Sequence, residues 1–218
     1  MSTNQNTLAN RFRAHLPRTT TYRAYEPASD ELIHTSEIIV GQITRAYALR
    51  DPEVITHGRQ VAALAVRIGQ KLGMDRVSLR YLRWGALLHD IGKLQIDGRI
   101  LYKPGPLDDN EWDVIRQHPI YSYDMAAPQP LLQPVLDILL YHHEQWAGGG
   151  YPYGLQGEEI PLSARICAVA DVWDALRSNR CYHKAWSAAA AREHIAERAG
   201  THFDPRVVQA FLPLVGRA

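Results

Sequence analysis

Apolar residues return at helical spacing along most of this chain, and turn signals cut the pattern into short segments. In the first, Leu32, Ile33, Ile39, Ile43 and Tyr47 form a stripe that Ser29 or Asp30 can cap and Asp51-Pro52 closes. Pro52 suits the first turn of the next helix, whose buried side is predicted as Val61, Leu64, Ala65, Ile68 and Leu72 and whose stop is Gly73. Asp75 caps a third helix, which carries Leu79, Leu82, Leu87 and Leu88 into His89-Asp90 and is predicted to stop at Gly92, with Lys93 just beyond. Residues 95–107 read as a Gly/Pro loop, and Asp108 opens a short helix expected to end at His118-Pro119. Another helix is predicted from Val135 to His143, followed by an irregular glycine-rich loop over 148–154. Ser163 is expected to cap a long helix through Asp171 and Asp174, and helices near 188–199 and 205–215 finish the chain. No strand pattern and no internal repeat is visible, so the expected fold is all-α.

Composition narrows the class. A chain of 218 residues suits one domain with or without an extension. Residues 1–28 are polar, without a sustained period, and are expected to form an arm before a domain over 29–218. A net charge of +1 argues against bulk nucleic-acid binding. Cys167 and Cys181 lie in no metal or redox spacing, and no apolar run is long enough to span a bilayer. Together with the lack of an apolar signal-peptide core, this gives a cytoplasmic expectation.

The histidines change the picture. Of ten, five (His57, His89, His118, His142, His143) fall at helix-like or helix-end positions in the central part of the chain. Asp90 and Asp171 accompany them, and Asp171 sits among Ile166, Val169 and Val172, where a buried carboxylate needs a partner. One histidine at a helix end commonly just offsets the dipole. Seven such groups on successive helices fit a bundle metal site, and imidazoles with carboxylates favour iron, manganese or zinc. The number suits two ions sharing a carboxylate.

The motif His57, His89-Asp90-Ile-Gly-Lys93, His118-Pro119, His142-His-Glu-Gln-Trp-Ala-Gly-Gly-Gly-Tyr-Pro152 and Asp171-Val-Trp-Asp174 resembles the HD-GYP family in order and spacing. That family is a branch of the HD-type metal-dependent phosphohydrolases. The resemblance implies an HD-domain helical bundle with additional C-terminal helices and a Gly-rich loop, acting as a cyclic-di-GMP phosphodiesterase that yields pGpG or GMP. It implies one metal on His57, His89, Asp90 and Asp171, with Asp90 bridging to a second completed by His118, His142 and His143. Glu53 stands where some members bind a third ion, and is equally readable as an acidic residue favoured by the helix dipole. The implied ions are iron or manganese.

In this reading cations lower the pKa of water, while Lys93 takes up charge on the phosphate and Asp90 is essential as the bridge. Tyr151 either packs the loop or faces the ligand, Arg180 meets a phosphate, and Lys184 stands in for the basic residue usual at His183. Glu144 and Asp174 are expected to orient ligand imidazoles. Ala147, where the family usually has aspartate, Cys181, His183 and Gln60 depart from its pattern. These departures keep two alternatives open: a mixed cyclic GMP–AMP as substrate, or a weakly active module that binds a ligand or a partner. A diguanylate cyclase and a second copy of the chain are the protein partners considered.

Overall fold

The computed structural model describes residues 30–179 and 184–216. The expected arm over 1–28 and the residues Arg180, Cys181 and His183 lie outside them. Ten α-helices make up the described residues: α1 Asp30–Arg50, α2 Pro52–Lys71, α3 Arg76–Leu88, α4 Gly98–Leu101, α5 Asp109–Ile115, α6 His118–Ala126, α7 Leu136–Tyr141, α8 Leu162–Arg177, α9 Ala188–Glu197 and α10 Pro205–Phe211. Short 3₁₀ turns follow α3 and α10 and precede α7 and α8. The only β pairing among the described residues is an isolated bridge between Ala199 and Phe203.

Helix α2 is central, packing along α3 on one side and α8 on the other. Asp51 caps it by accepting from the Glu53 and Val54 amides, Pro52 fills its first turn, and Gly73 lies just past its end at φ 76°. Its face Val61, Leu64, Ala65 and Ile68 is buried with Leu82, Ile138, Ile166, Val169 and Phe211 in the main core. A second core joins Val40 and Tyr47 of α1 to Ile55, Trp84, Leu88, Ile91 and Leu139. A third, smaller one lies under the Gly-rich loop, with Leu140, Tyr141, Ile160 and Ala164.

Several boundaries and faces differ from the pattern reading. On α1 the buried side is Ser36, Val40, Thr44 and Tyr47, and Leu32 is exposed. Ser36 and Thr44 bury because their hydroxyls donate to the Leu32 and Val40 carbonyls at 2.8 and 2.7 Å. A short helix, α4, lies within 95–107, capped by Asp97. Pro119 does not end a helix but opens α6 from its first turn, as a residue without an N–H can. Ser163 is inside α8, whose N-cap is Pro161. Finally, α3 ends at Leu88, and residues 91–95 continue as a 3₁₀ turn that contains Lys93.

A candidate dinuclear metal centre between the helices

The tight turn after α3 is what brings His89 and Asp90 to one place. His89 caps α3 and Asp90 starts the 3₁₀ turn, so the two side chains leave the regular helix where neighbours would diverge. Gly92 is required there: a Cβ would lie 2.1 Å from the His118 carbonyl oxygen and 2.5 Å from the Ser122 amide. His142 and His143 converge for a similar reason. Helix α7 stops at Tyr141, and their ring centroids are 4.2 Å apart.

The imidazoles are oriented through their Nδ1 atoms. His89 Nδ1 lies 2.7 Å from the Ala86 carbonyl, His118 Nδ1 2.8 Å from that of Ile115, and His142 Nδ1 3.0 Å from that of Ile138. A carbonyl only accepts, so each Nδ1 carries the proton and each Nε2 presents a lone pair. His57 Nδ1 is tied in the same way to Asp174 Oδ2 at 2.6 Å. Asp174 thus does what was expected of it.

The lone pairs face one another. His118 Nε2 is 3.2 Å from His142 Nε2 and 3.2 Å from Asp90 Oδ1. His57 Nε2 is 3.0 Å from Asp171 Oδ1, and His89 Nε2 is 3.4 Å from Asp90 Oδ2. His89 Nε2 and Asp90 Oδ1 are buried without a hydrogen-bond partner. Acceptors packed this closely out of water repel and lose their solvation, so the arrangement fits positive charge between them. Two groups have the reach to hold an ion: Asp90, His118, His142 and His143, and His57, His89 and Asp90, with ligand atoms within 4.8 Å of one another in each. Asp90 is common to both. Asp171 joins the second group through its contacts to His57 and to His89 at 3.9 Å.

The electrostatics agree. Burial penalises the carboxylates of Asp90 and Asp171, yet Lys93 with His89 and His118 for the first, and His57 for the second, hold both well below the usual range. His57 differs from the other imidazoles: burial opposes its charging, but Asp171 and Asp174 raise its pKa to about 9, so its Nε2 proton points at Asp171 and a cation bound there would have to displace it. Burial and the neighbouring imidazoles push His142 far down and bring His143 to about 3. Both therefore stay neutral, the form that binds metal.

Around this cluster, Lys93 Nζ lies 2.5 Å from Asp90 Oδ2. The Tyr151 ring stacks on His143, with centroids 4.7 Å apart and an interplanar angle of 23°, and its amide donates to the His143 carbonyl. Glu144 is not near a ligand imidazole nitrogen in the way expected. Its two oxygens accept from the Tyr153 and Leu155 amides at 2.7 and 3.0 Å, so it holds the Gly-rich loop instead. Burial lifts Glu144 to about 7 against the pull of those amides. Glu53 lies exposed one turn before His57 and belongs to neither ligand group. Lys184 is exposed beyond α8, while Arg180 is outside the described residues.

Three supports escaped the pattern reading. Tyr47 Oη donates to the Asp90 carbonyl at 3.0 Å, and Ser122 bonds both ends of the His89–Gly92 turn. Arg165 and Asp204 form a buried pair at 2.6 Å, with the guanidinium 5.5 Å over Trp146 of the loop. Only Asp204, which precedes a proline in a helix-start pattern, left any sequence signal, and that signal speaks of a cap and not of Arg165.

The family model described as HD domain matches residues 42–207, which include His57 through Asp171. The chain belongs to the HD-domain family. The expected HD-type family and the expected all-α helical bundle are both found. The HD domain is 36% identical over 184 residues to the 3′3′-cGAMP-specific phosphodiesterase 2 of Vibrio cholerae, covering 84% of this chain and 35% of that protein. It is 41% identical over 167 residues to a cyclic di-GMP phosphodiesterase of Thermotoga maritima, covering 76% of this chain and 45% of that one. The chain thus spans less than half the length of these curated relatives. Among solved structures it resembles Bd1817, an HDG"Y"P protein from Bdellovibrio bacteriovorus, with a TM-score of 0.64 and 18% identity over 99% of this chain and 81% of that one. Among the described residues of this HD domain, no helix is long and apolar enough to cross a membrane.

Proposed function

We propose that this HD domain is a metal-dependent phosphodiesterase that opens a cyclic dinucleotide, with cyclic-di-GMP as its substrate. The observation that carries the reading is the meeting of Nε2 and carboxylate atoms from α2, the α3 turn, α6, the α7 end and α8, with the His118 and His142 Nε2 atoms 3.2 Å apart. In the assignment, His57, His89, Asp90 and Asp171 hold one divalent ion, and Asp90, His118, His142 and His143 the other. Nitrogen and oxygen donors without thiolate suit iron or manganese. Bound there, the ions supply Lewis-acid stabilisation of phosphoryl oxygens and a lowered pKa for water. Glu53, one turn before His57, is the candidate ligand for a third.

The chain's own groups supply the rest. Lys93 is partly open to solvent beside Asp90, which supports a role in meeting a non-bridging phosphate oxygen and passing a proton from Nζ to the departing 3′-oxygen. The reaction breaks the P–O3′ bond, forms a P–O bond to water oxygen and leaves a linear dinucleotide. Tyr151 supports His143 and borders the ligand, and Lys184 would meet its phosphates, the role also expected of Arg180, which lies outside the described residues. Whatever partner regulates the domain, a diguanylate cyclase or a second copy among the candidates, belongs to the same proposal.

A mixed cyclic GMP–AMP is the second reading. It is favoured by the Vibrio relative specific for that nucleotide and by Ala147, where an aspartate is usual. Incubating manganese- or iron-loaded protein with each nucleotide and resolving products chromatographically decides between them. Cyclic-di-GMP is expected to give pGpG or GMP. Turnover of the mixed nucleotide alone selects the second reading, and tight binding of either without product overturns both. Asp90→Ala, which removes the shared ligand, is expected to abolish product and metal retention together.

A further inference from the structure

The signature turn is gripped from two sides by hydroxyl groups that touch no proposed ligand atom. Tyr47 of α1 donates to the carbonyl of Asp90 at 3.0 Å. Ser122 of α6, fully buried, donates through Oγ to the His89 carbonyl and accepts from the Gly92 amide, both at 2.8 Å. The two differ in what they connect. Tyr47 ties the turn to a helix that carries no proposed ligand. Ser122 lies four residues after His118, on the same face of α6.

His118 turns with its own segment, because its Nδ1 is bound to the Ile115 carbonyl at 2.8 Å. Backbone meets backbone at this crossing, where a Cβ on Gly92 would sit 2.1 Å from the His118 carbonyl. A sliding of α6 along the turn would change the 3.2 Å separation between His118 Nε2 and Asp90 Oδ1. The paired bonds of Ser122 oppose that sliding, since one pulls on the start of the turn and the other on its end.

We propose that Ser122 is a positioning residue that sets the distance of His118 from the shared carboxylate, and so the affinity of one of the two metal positions. The inference rests on the proposed dinuclear reading. It assigns Ser122 chiefly to the ion held with His118, His142 and His143; the ion held with His57, His89 and Asp171 meets Ser122 only through the His89 backbone carbonyl and responds less.

The test uses the full chain, stripped of metal and titrated with Mn²⁺ alone, with free Mn²⁺ followed by electron paramagnetic resonance. Wild type is expected to bind two ions and His118→Ala one. Ser122→Ala is expected to weaken one ion at least tenfold and the other less than threefold. The double variant H118A/S122A is expected to hold its remaining ion as tightly as H118A does, because Ser122 acts through His118. Tyr47→Phe removes one hydroxyl from the same turn and controls for general loosening; it is expected to shift both ions by equal factors or neither. Should Ser122→Ala fold poorly, Ser122→Cys keeps a weaker donor and acceptor at similar size and is expected to fall between alanine and wild type. Equal weakening of both ions by S122A, no weakening, or a further loss in the double variant would each overturn the role of Ser122 while leaving two bound ions in wild type. A wild-type chain that binds no Mn²⁺ overturns the metal reading itself.

Discussion

Glu144→Gln offers a sharp test of how the Gly-rich loop is held. Oε1 of Glu144 accepts from the Tyr153 amide at 2.7 Å and Oε2 from the Leu155 amide at 3.0 Å, and the residue is 2% exposed. Glutamine has nearly the same shape but offers one oxygen and one NH₂. It can satisfy one amide and must point a donor at the other. A buried donor left without an acceptor costs about 1–3 kcal/mol, and above pH 7, where Glu144 is ionised, loss of charge assistance also weakens the surviving bond. Taking ~2 kcal/mol, the population of the open loop rises roughly 30-fold.

Hydrogen exchange read by mass spectrometry on peptides spanning 145–157 should show that factor as faster exchange, with peptides from α2 unchanged. Turnover should fall about tenfold or more, because the same loop presents Tyr151 to His143. If E144Q exchanges and turns over within twofold of wild type, the carboxylate is not what holds the loop.

Other perturbations probe the centre and the scaffold separately. Asp174→Ala frees the His57 ring, now fixed at 2.6 Å, and should lower metal affinity by about 10–100-fold, with turnover recovering at saturating metal; unchanged affinity in a titration would refute the orienting role. Gly92→Ala forces a Cβ against the His118 carbonyl and should unfold the domain or lower its melting temperature by several degrees, which a thermal melt would show; an unaffected melt would contradict the close crossing. His202 should govern part of the acid limb of stability. Burial, then Arg198 and His194, lower its folded pKa from 6.5 to about 4, so below pH 6.5 the unfolded chain takes a proton that the folded one refuses. Stability should therefore decline between pH 6.5 and about 4, by about 1–2 kcal/mol from this group once its partial exposure is allowed for. Urea unfolding of wild type and His202→Phe at pH 7 and 5 checks this, and an equal loss in both would exclude His202 as the source.

Where sequence reading succeeded, the residues declare their environment one at a time. Val61, Leu64, Ala65 and Ile68 repeat at helical spacing and are buried as predicted, and Asp75 caps its helix with bonds to Val77 and Ser78. Where it failed, the answer lay in a partner. Thr44 looks like a surface residue until its hydroxyl finds the Val40 carbonyl, and Pro119 looks like a stop although its helix has only begun. The metal-type side chains were legible from type and order, but their convergence was not. It depends on helices ending at Leu88 and Tyr141, a turn or less earlier than the apolar pattern suggests. Arg165 and Asp204 are 39 positions apart and could be matched only by the fold.

That last pair has a bearing on how such domains can be recombined. Trp146 and Ala147 donate their amides to the His202 and Thr201 carbonyls, and Arg165 spans from Trp146 to Asp204. The turn joining the final two helices therefore acts as the bed on which the loop is cast. A chimaera that exchanged residues beyond 197 with those of a relative would import that relative's loop posture along with its tail, even with every histidine left in place.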